Sequence, residues 1–488
     1  MPNPSISSGT ATFLLNGTGT IDSLLNEGYQ KWSVTSESGV VLSYSFPWSN
    51  GVYAFWQSDY SQKMEQNAAQ HFGMDAAQMS AAKQALQVWA NVAAITFTEV
   101  PDSKNNVGDF RFAFSSSVPQ AVWGYCGYPD SHWASSADVW INPSVAQGDW
   151  SIGSFNQLSL IHEIGHGLGL KHPGHYDVLG SSAPGPYLAA NLDFRDNTVM
   201  SYISRNQWFL NPDQLTYSGV HPSTPMVYDI AAIQYLYGAN NSYHTGDDTY
   251  RFDPLTPFYF TIWDAGGNDT LDLSNFTTKC DIDLTQGHYS SIRYTSPGTV
   301  ADLYDGTHNL GIAFGAIIEN TTGGSDSDTI TGNNVSNTLA GGAGNDTLIG
   351  GAGNDTLDGG DGTDTAVFSG NFAEYVMSYD GDHFTITDTT AGRDGSDVAS
   401  GIELFQFADG TKENIFAPTV VTLGSVDGAD QAGITTLDPG LVKDTASNSN
   451  AGASVYDFTT VASPGGGTGA ETVLAGVGGL GLLAWVLF

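Results

Sequence analysis

"LIHEIGHGLGLKH", residues 160–172, crowds three histidines and a glutamate into one short segment of a chain that has 11 histidines in 488 residues. A helix turns once in about 3.6 residues, so His162 and His166 project from the same face, one turn apart. Two imidazoles so placed can share one zinc ion at about 2.0–2.1 Å each. Glu163 stands beside the first of them, near the metal but not aimed at it, where a base must sit to take a proton from water. Gly169 is expected to end the helix, because glycine turns the backbone left-handed at no steric cost. That turn lets His172 return as a third ligand. Three protein nitrogens leave one position of a tetrahedral ion open for water, the catalytic rather than the closed structural pattern.

The rest of the composition narrows the setting. With 51 acidic against 14 basic residues and a formal net charge of −37, the chain repels nucleic acid and anionic membrane surfaces. It also repels itself unless cations neutralise the carboxylates. Cys126 and Cys280 stand far apart, so no disulfide framework is expected, and whether those two pair is left open. The start, "MPNPSISSGTATFLLNGTG", has neither a basic opening nor an apolar stretch of signal-peptide length, which predicts export without a cleaved leader. The stretch 472–488 is apolar, Gly-rich and uncharged, at the lower edge of membrane-spanning length.

Three compositional zones follow one another. Residues 76–93 space apolar side chains as an amphipathic helix does, with Asp75 as N-cap. Runs at 95–100, 109–114 and 137–142 read as strands, and helices are expected through "FNQLSLIHEIGHGLG" and at 228–238. This mixture predicts an α+β domain: a twisted sheet plus the histidine-bearing helix. From about 241 the chain turns to Gly, Asp, Asn and Thr, and a nine-residue repeat appears. Its copies are GGSDSDTIT (323–331), GNNVSNTLA (332–340), GGAGNDTLI (341–349), GGAGNDTLD (350–358) and GGDGTDTAV (359–367), with Asn337 replacing the usual Asp in the second.

Such a repeat predicts a turn of six residues and a short strand with one inward apolar side chain, stacked into a parallel β-roll. Calcium takes six to eight hard oxygens, and each turn offers only oxygens. The expected calcium ligands are the carboxylates of Asp328, Asp346, Asp355 and Asp364. Carbonyls exposed at Gly342, Gly344, Gly351, Gly353, Gly360 and Gly362 complete the set, while Ile330, Leu339, Leu348 and Leu357 fill the interior.

"HEIGHGLGLKHPG", "TVMSY" (198–202) and "DIAAIQYLYGAN", together with the nonapeptides, resemble the serralysin family of metzincin zinc metalloproteases with RTX-type calcium-binding repeats. The resemblance covers roughly residues 20–370. It implies a secreted endopeptidase with one catalytic Zn2+ and several structural Ca2+ ions. Met200 becomes an apolar floor beneath the metal. Tyr202 becomes a resting-state zinc ligand that moves away to hydrogen-bond the tetrahedral intermediate. Asp264, Gly266 and Asp269 would form a further calcium site at the entrance to the roll. The implied partners are protein or peptide substrates and a type I (ABC) export machinery, with a monomer as the working unit. The expected layout is a short propeptide (1–20), a protease domain (21–240), the calcium roll (241–370), a β-rich capping segment (371–418) and a tail (419–488) that ends in an export signal or a surface anchor.

Two departures stand out. His175 follows the Pro-Gly where many relatives carry an acidic residue, so a fourth imidazole sits in sequence beside the ligands. Residues 365–410 resemble a segment that follows such repeats in other calcium-roll proteins rather than the usual serralysin ending. The alternative from another class is a calcium-binding surface protein or adhesin with an inactive protease-like domain. Matrix metalloproteinases share the histidine motif but lack the nonapeptides and the tyrosine after the methionine.

Overall fold

The computed structural model describes residues 9–25, 30–33, 39–51, 53–56, 60–61, 63–103, 107–130, 134–176, 185–211, 216–295 and 303–413, and the backbone of 457–461 and 473–477. Two compact units divide the chain after Asn414. In the second, Asp457–Val461 pairs antiparallel with Val473–Val477, and the rest of the apolar tail lies outside the described residues. No described helix is long and apolar enough to cross a membrane.

The first unit is mostly β, with few helices. Ala76–Val92 begins at Asp75 in a capping box: the Asp75 carboxylate accepts from the Gln78 N–H at 2.9 Å, and Gln78 accepts from the Asp75 N–H at 2.8 Å. The helix buries Ala81, Ala82, Ala85, Leu86, Trp89 and Val92. Beside it runs a sheet in the order Ile95–Glu99, Val40–Ser45, Phe110–Ser115, Val139–Ile141, Gly124–Cys126, with His71–Phe72 also paired to Phe110–Ser115. The first four strands are parallel; Gly124–Cys126 joins antiparallel and forms an edge. Phe110–Ser115 is buried along its whole length, as a central strand covered on both faces must be. It contains Arg111, whose guanidinium is only 2% exposed and pairs with Asp138 at 2.8 Å while donating to the Phe55 and Ala134 carbonyls.

From residue 249 the chain winds into two facing sheets of eight and nine strands. Strands eighteen residues apart are parallel neighbours in register: Thr329 with Thr347, Thr338 with Thr356, Thr347 with Thr365. Ile330, Leu339, Leu348, Leu357 and Ala366 are fully buried between the sheets. Burying each Ile or Leu contributes roughly 1.5–3 kcal/mol, so these two facing apolar columns, one on each sheet, help hold the roll together. The turns demand glycine where coils touch: Gly362 has φ +154°, and a Cβ there would lie 1.6 Å from the Gly344 carbonyl oxygen.

Parallel pairing continues past residue 370, where composition places the end of the repeats. Thr356–Asp361 pairs with Ser396–Ser400, and Thr365–Val367 with Leu404–Phe407. Between them a hairpin, Tyr375–Tyr379 with Phe384–Asp388, extends the eight-stranded sheet antiparallel.

Candidate metal centre

Ser154 caps the helix Phe155–Gly167 through its hydroxyl, which accepts from the Gln157 N–H at 3.2 Å. The helix ends in a Schellman arrangement: Leu170 N–H donates to Gly165 O and Gly169 N–H to His166 O, both at 2.9 Å, with Gly169 at φ +107°. The reversal carries His172 back over the helix. Its Nε2 lies 3.1 Å from the Nε2 of both His162 and His166. Lys171, fully buried, ties this turn down by donating to the Ser23 and Pro186 carbonyls at 2.6 and 2.8 Å.

The protons show what the three rings want. His162 Nδ1 meets Val199 O, and His166 Nδ1 meets Leu170 O, each at 2.8 Å. A carbonyl only accepts, so each Nδ1 carries the hydrogen and each neutral ring turns a bare Nε2 lone pair towards His172. Burial lowers all three imidazoles, His166 to about 4 and His162 and His172 well below their usual value, so they stay neutral at physiological pH. Converging lone pairs in a buried site call for a cation. Tetrahedral zinc with Zn–N near 2.0–2.1 Å sets nitrogen–nitrogen edges of roughly 3.3–3.4 Å. This all-imidazole set fits zinc, and it is too nitrogen-rich for calcium.

Glu163 is 7% exposed, and its carboxylate accepts the Cys126 N–H of the edge strand. Burial pushes that carboxyl up to about 8, a shift that a cation at the imidazoles opposes. The Cys126 thiol is pushed up by burial, then by Glu163, and stays protonated. Cys126 and Cys280 are both free, which closes the pairing question.

Tyr202 is 39% exposed, its ring 4.5 Å from that of His172 and 5.6 Å from that of His162. It stacks on Tyr176 at 4.8 Å, whose hydroxyl donates to Asp193. Arg195 holds the loop on either side of it, donating to Ser201 O at 3.2 Å and Ser204 Oγ at 3.0 Å. His175 is exposed and faces Tyr187 at 5.6 Å; it is not one of the three clustered imidazoles.

Met200 is fully buried against the helix, where a Cβ on Gly165 would come within 2.7 Å of its sulfur. Asp229, near the start of the helix Val227–Tyr237, holds the turn that contains Met200. Its carboxylate accepts from Thr198 Oγ1 at 2.5 Å and from the N–H groups of Val199 and Met226 at 2.7 and 2.8 Å. The Val199 carbonyl in turn accepts from the His162 Nδ1–H, so Asp229 orients a ligand through one residue. Nothing in the linear spacing pointed to it. Asp229→Ala strands three buried donors and is expected to cost about 3–5 kcal/mol in urea unfolding, with weaker zinc binding. Asp229→Asn keeps an acceptor and is expected to cost clearly less.

The roll carboxylates show a repeated pattern. Asp346 Oδ1 accepts the Asp328 N–H, Asp364 Oδ1 the Asp346 N–H, and Asp355 Oδ1 the Asn337 N–H, at 2.7, 2.7 and 2.8 Å. The second oxygens of Asp269, Asp346, Asp355 and Asp364 are buried with no hydrogen-bond partner among the described residues. Hard, anionic, unpartnered oxygens beside glycine turns of positive φ at Gly342, Gly344, Gly351, Gly353, Gly360 and Gly362 fit calcium. Asp328 differs: its two oxygens take the N–H groups of Cys280 and Gly324. Asp264 accepts from Gly266 N–H at 2.9 Å and from the Tyr250 hydroxyl, and clusters with His244 and Asp248, which the sequence reading missed. Also missed were Glu319, Asp397 and Glu403, which accept the N–H groups of Asp269, Asp355 and Asp364 at the same point of the ladder.

A β-rich chain whose C-terminal part is wound as a parallel roll, with a three-histidine cluster upstream, defines a narrow structural class. Residues 229–414 match the family described as Peptidase M10 serralysin C terminal. Serralysin G of Dickeya chrysanthemi is 36% identical over 295 residues, 57% of this chain and 58% of the relative. Serralysin of Proteus mirabilis is 32% identical over 317 residues, 59% and 58% of the two chains. One serralysin C of Dickeya chrysanthemi is 33% identical over 334 residues, 63% and 66%. The chain is thus similar to serralysins over more than half its length, and its residues 229–414 carry their C-terminal domain. It spans rather more than half the length of the relatives it matches.

Proposed function

We propose that this chain is a secreted, zinc-dependent endopeptidase of serralysin type, stabilised by calcium. The convergence of three neutral Nε2 atoms within 3.1 Å contacts, with a buried carboxylate beside them, carries the reading. A zinc ion held by His162, His166 and His172 supplies a Lewis acid and lowers the pKa of water towards neutrality. Glu163 takes the proton of the attacking water and passes it to the leaving amine. The Cys126 N–H keeps that carboxylate turned towards the edge strand. Tyr202, whose phenol burial holds above its usual range, remains a hydrogen-bond donor for the oxyanion. An extended substrate is placed along Gly124–Cys126, whose outer edge has no strand partner among the described residues.

In this reading residues 21–240 form the metzincin protease domain and 241–370 the calcium roll, with 1–20 a short propeptide. In the same reading the chain is exported by a type I machinery and works as a monomer, and its apolar tail holds the export signal or an anchor. Azocasein hydrolysis by protein refolded in calcium tests the core of it. A zinc chelator is expected to abolish cleavage and added zinc to restore it; hydrolysis indifferent to the chelator defeats the proposal.

A further inference from the structure

Residues 392–400, GRDGSDVAS, keep Gly392, Gly395 and Asp397 of the repeat and, from Gly395 onward, its geometry. Ser396–Ser400 lies parallel to Thr356–Asp361, with Val398 opposite Thr356 and Ala399 opposite Leu357. Ala399 is fully buried, where the repeats place their inward apolar residue. Gly395 has φ +86°, and a Cβ on it would fall 1.6 Å from the Gly353 carbonyl oxygen, the same close approach that Gly362 makes to Gly344. Ser396 N–H donates to Asn354 Oδ1 at 3.0 Å, as Thr363 N–H does to Asn345 Oδ1 at 2.9 Å. Asp397 Oδ1 accepts the Asp355 N–H at 2.8 Å from 42 residues away, where Asp364 accepts from Asp346 across 18.

The segment 368–391 is therefore an excursion inserted between two coils. Asp394 closes it: its carboxylate takes the Ser369 N–H and hydroxyl at 2.8 and 2.6 Å and the Tyr375 hydroxyl. That leaves Asp394 committed to the loop, whereas Asp355 Oδ2 is buried with no hydrogen-bond partner among the described residues and Asp397 is only 2% exposed. Two carboxylates on adjacent coils, one with an unanswered oxygen, sit where the backbone at Gly395 passes close to the Gly353 carbonyl.

We propose that the turns 350–355 and 392–397 hold a further calcium ion, with Asp355 and Asp397 as its carboxylate ligands, on a coil that lies beyond the visible repeats. The choice of cation follows from an all-oxygen, multi-carbonyl setting that suits calcium better than the smaller, strictly octahedral magnesium. The inference rests on the reading of the roll as a calcium roll, and the experiment separates the two.

Full-length protein is equilibrated with calcium, freed of excess, and its bound calcium counted by atomic emission for the parent, Asp397→Asn and Asp364→Asn. The Asn oxygen still accepts the Asp355 N–H, so Asp397→Asn removes the charge while sparing the ladder. One calcium fewer per chain is expected. A parent-like count in Asp397→Asn beside a lowered one in Asp364→Asn overturns the added site alone; parent-like counts in both overturn the calcium roll itself. Should Asp397→Asn fail to fold, hydrogen exchange of the parent decides. Residues 392–400 are expected to gain protection with calcium in step with 350–358, and exchange there that ignores calcium while 341–349 responds overturns the site.

Discussion

Glu163→Ala is expected to cut casein hydrolysis by about 10²–10⁴-fold while leaving one zinc per chain and an intact fold. The carboxylate is not among the three converging imidazoles, so its removal is expected to leave the ligands and the helix in place. In the metal-free chain burial holds it well above its ordinary value, so there the folded state accommodates the charge at a cost. Stability is therefore expected to stay level or rise slightly. Glu163→Gln, which keeps an acceptor for Cys126 but no base, should lose as much activity as alanine does. Metal analysis, thermal unfolding and initial rates on the same preparations make the test, and cleavage retained by either variant ends the assignment.

Removing calcium carries the second large effect. At about 10 mM calcium, sites with dissociation constants near 10⁻⁴–10⁻³ M each add roughly 1–3 kcal/mol, and several such sites rival the whole stability of a domain. A chelator is expected to unfold the roll at neutral pH, seen as lost exchange protection across 323–367. Acid should have opposite effects with and without the ion. Burial raises Asp328 and Asp355 to about 6 and Asp397 to about 7. For carboxyls raised in the folded state, the stabilising contribution is complete below their unfolded value near 3.9 and disappears as pH climbs through 6 to 7. The calcium-free chain should thus gain thermal stability between pH 7.5 and 5.5. The calcium-loaded chain should lose it, since protons then compete with the ion. A calcium-free chain that weakens over that interval contradicts the burial of those carboxylates.

What was legible in the sequence is what the chain keeps close together. His162, Glu163 and His166 share one helix, Gly169 ends its last turn and His172 follows at once, so spacing alone specified the cluster. The strands at 95–100, 109–114 and 137–142 and the Asp75 cap were readable for the same local reason. Contacts across long separations were not. Asp229 reaches the Met200 turn, Lys171 reaches Ser23, and Gly124–Cys126 becomes a sheet edge through pairings that no periodicity announces. The coil at 392–400 was hidden because Ala399 stands where leucine usually does and Arg393 where the second glycine does. Asp328 bears the consensus letter, yet backbone donors engage both of its oxygens.

The carboxylate ladder has a direction. In each step the later coil's oxygen satisfies an amide of the earlier one: Asp346 serves Asp328, Asp364 serves Asp346, Glu403 serves Asp364. A coil added on the N-terminal side finds its acceptor already in place, whereas one added on the C-terminal side must wait for a successor. That polarity favours a stack that closes from Asp397 and Glu403 towards the histidines, an expectation that truncation tests. Truncation at residue 390 should fray far more of it than loss of an equal length from the opposite end.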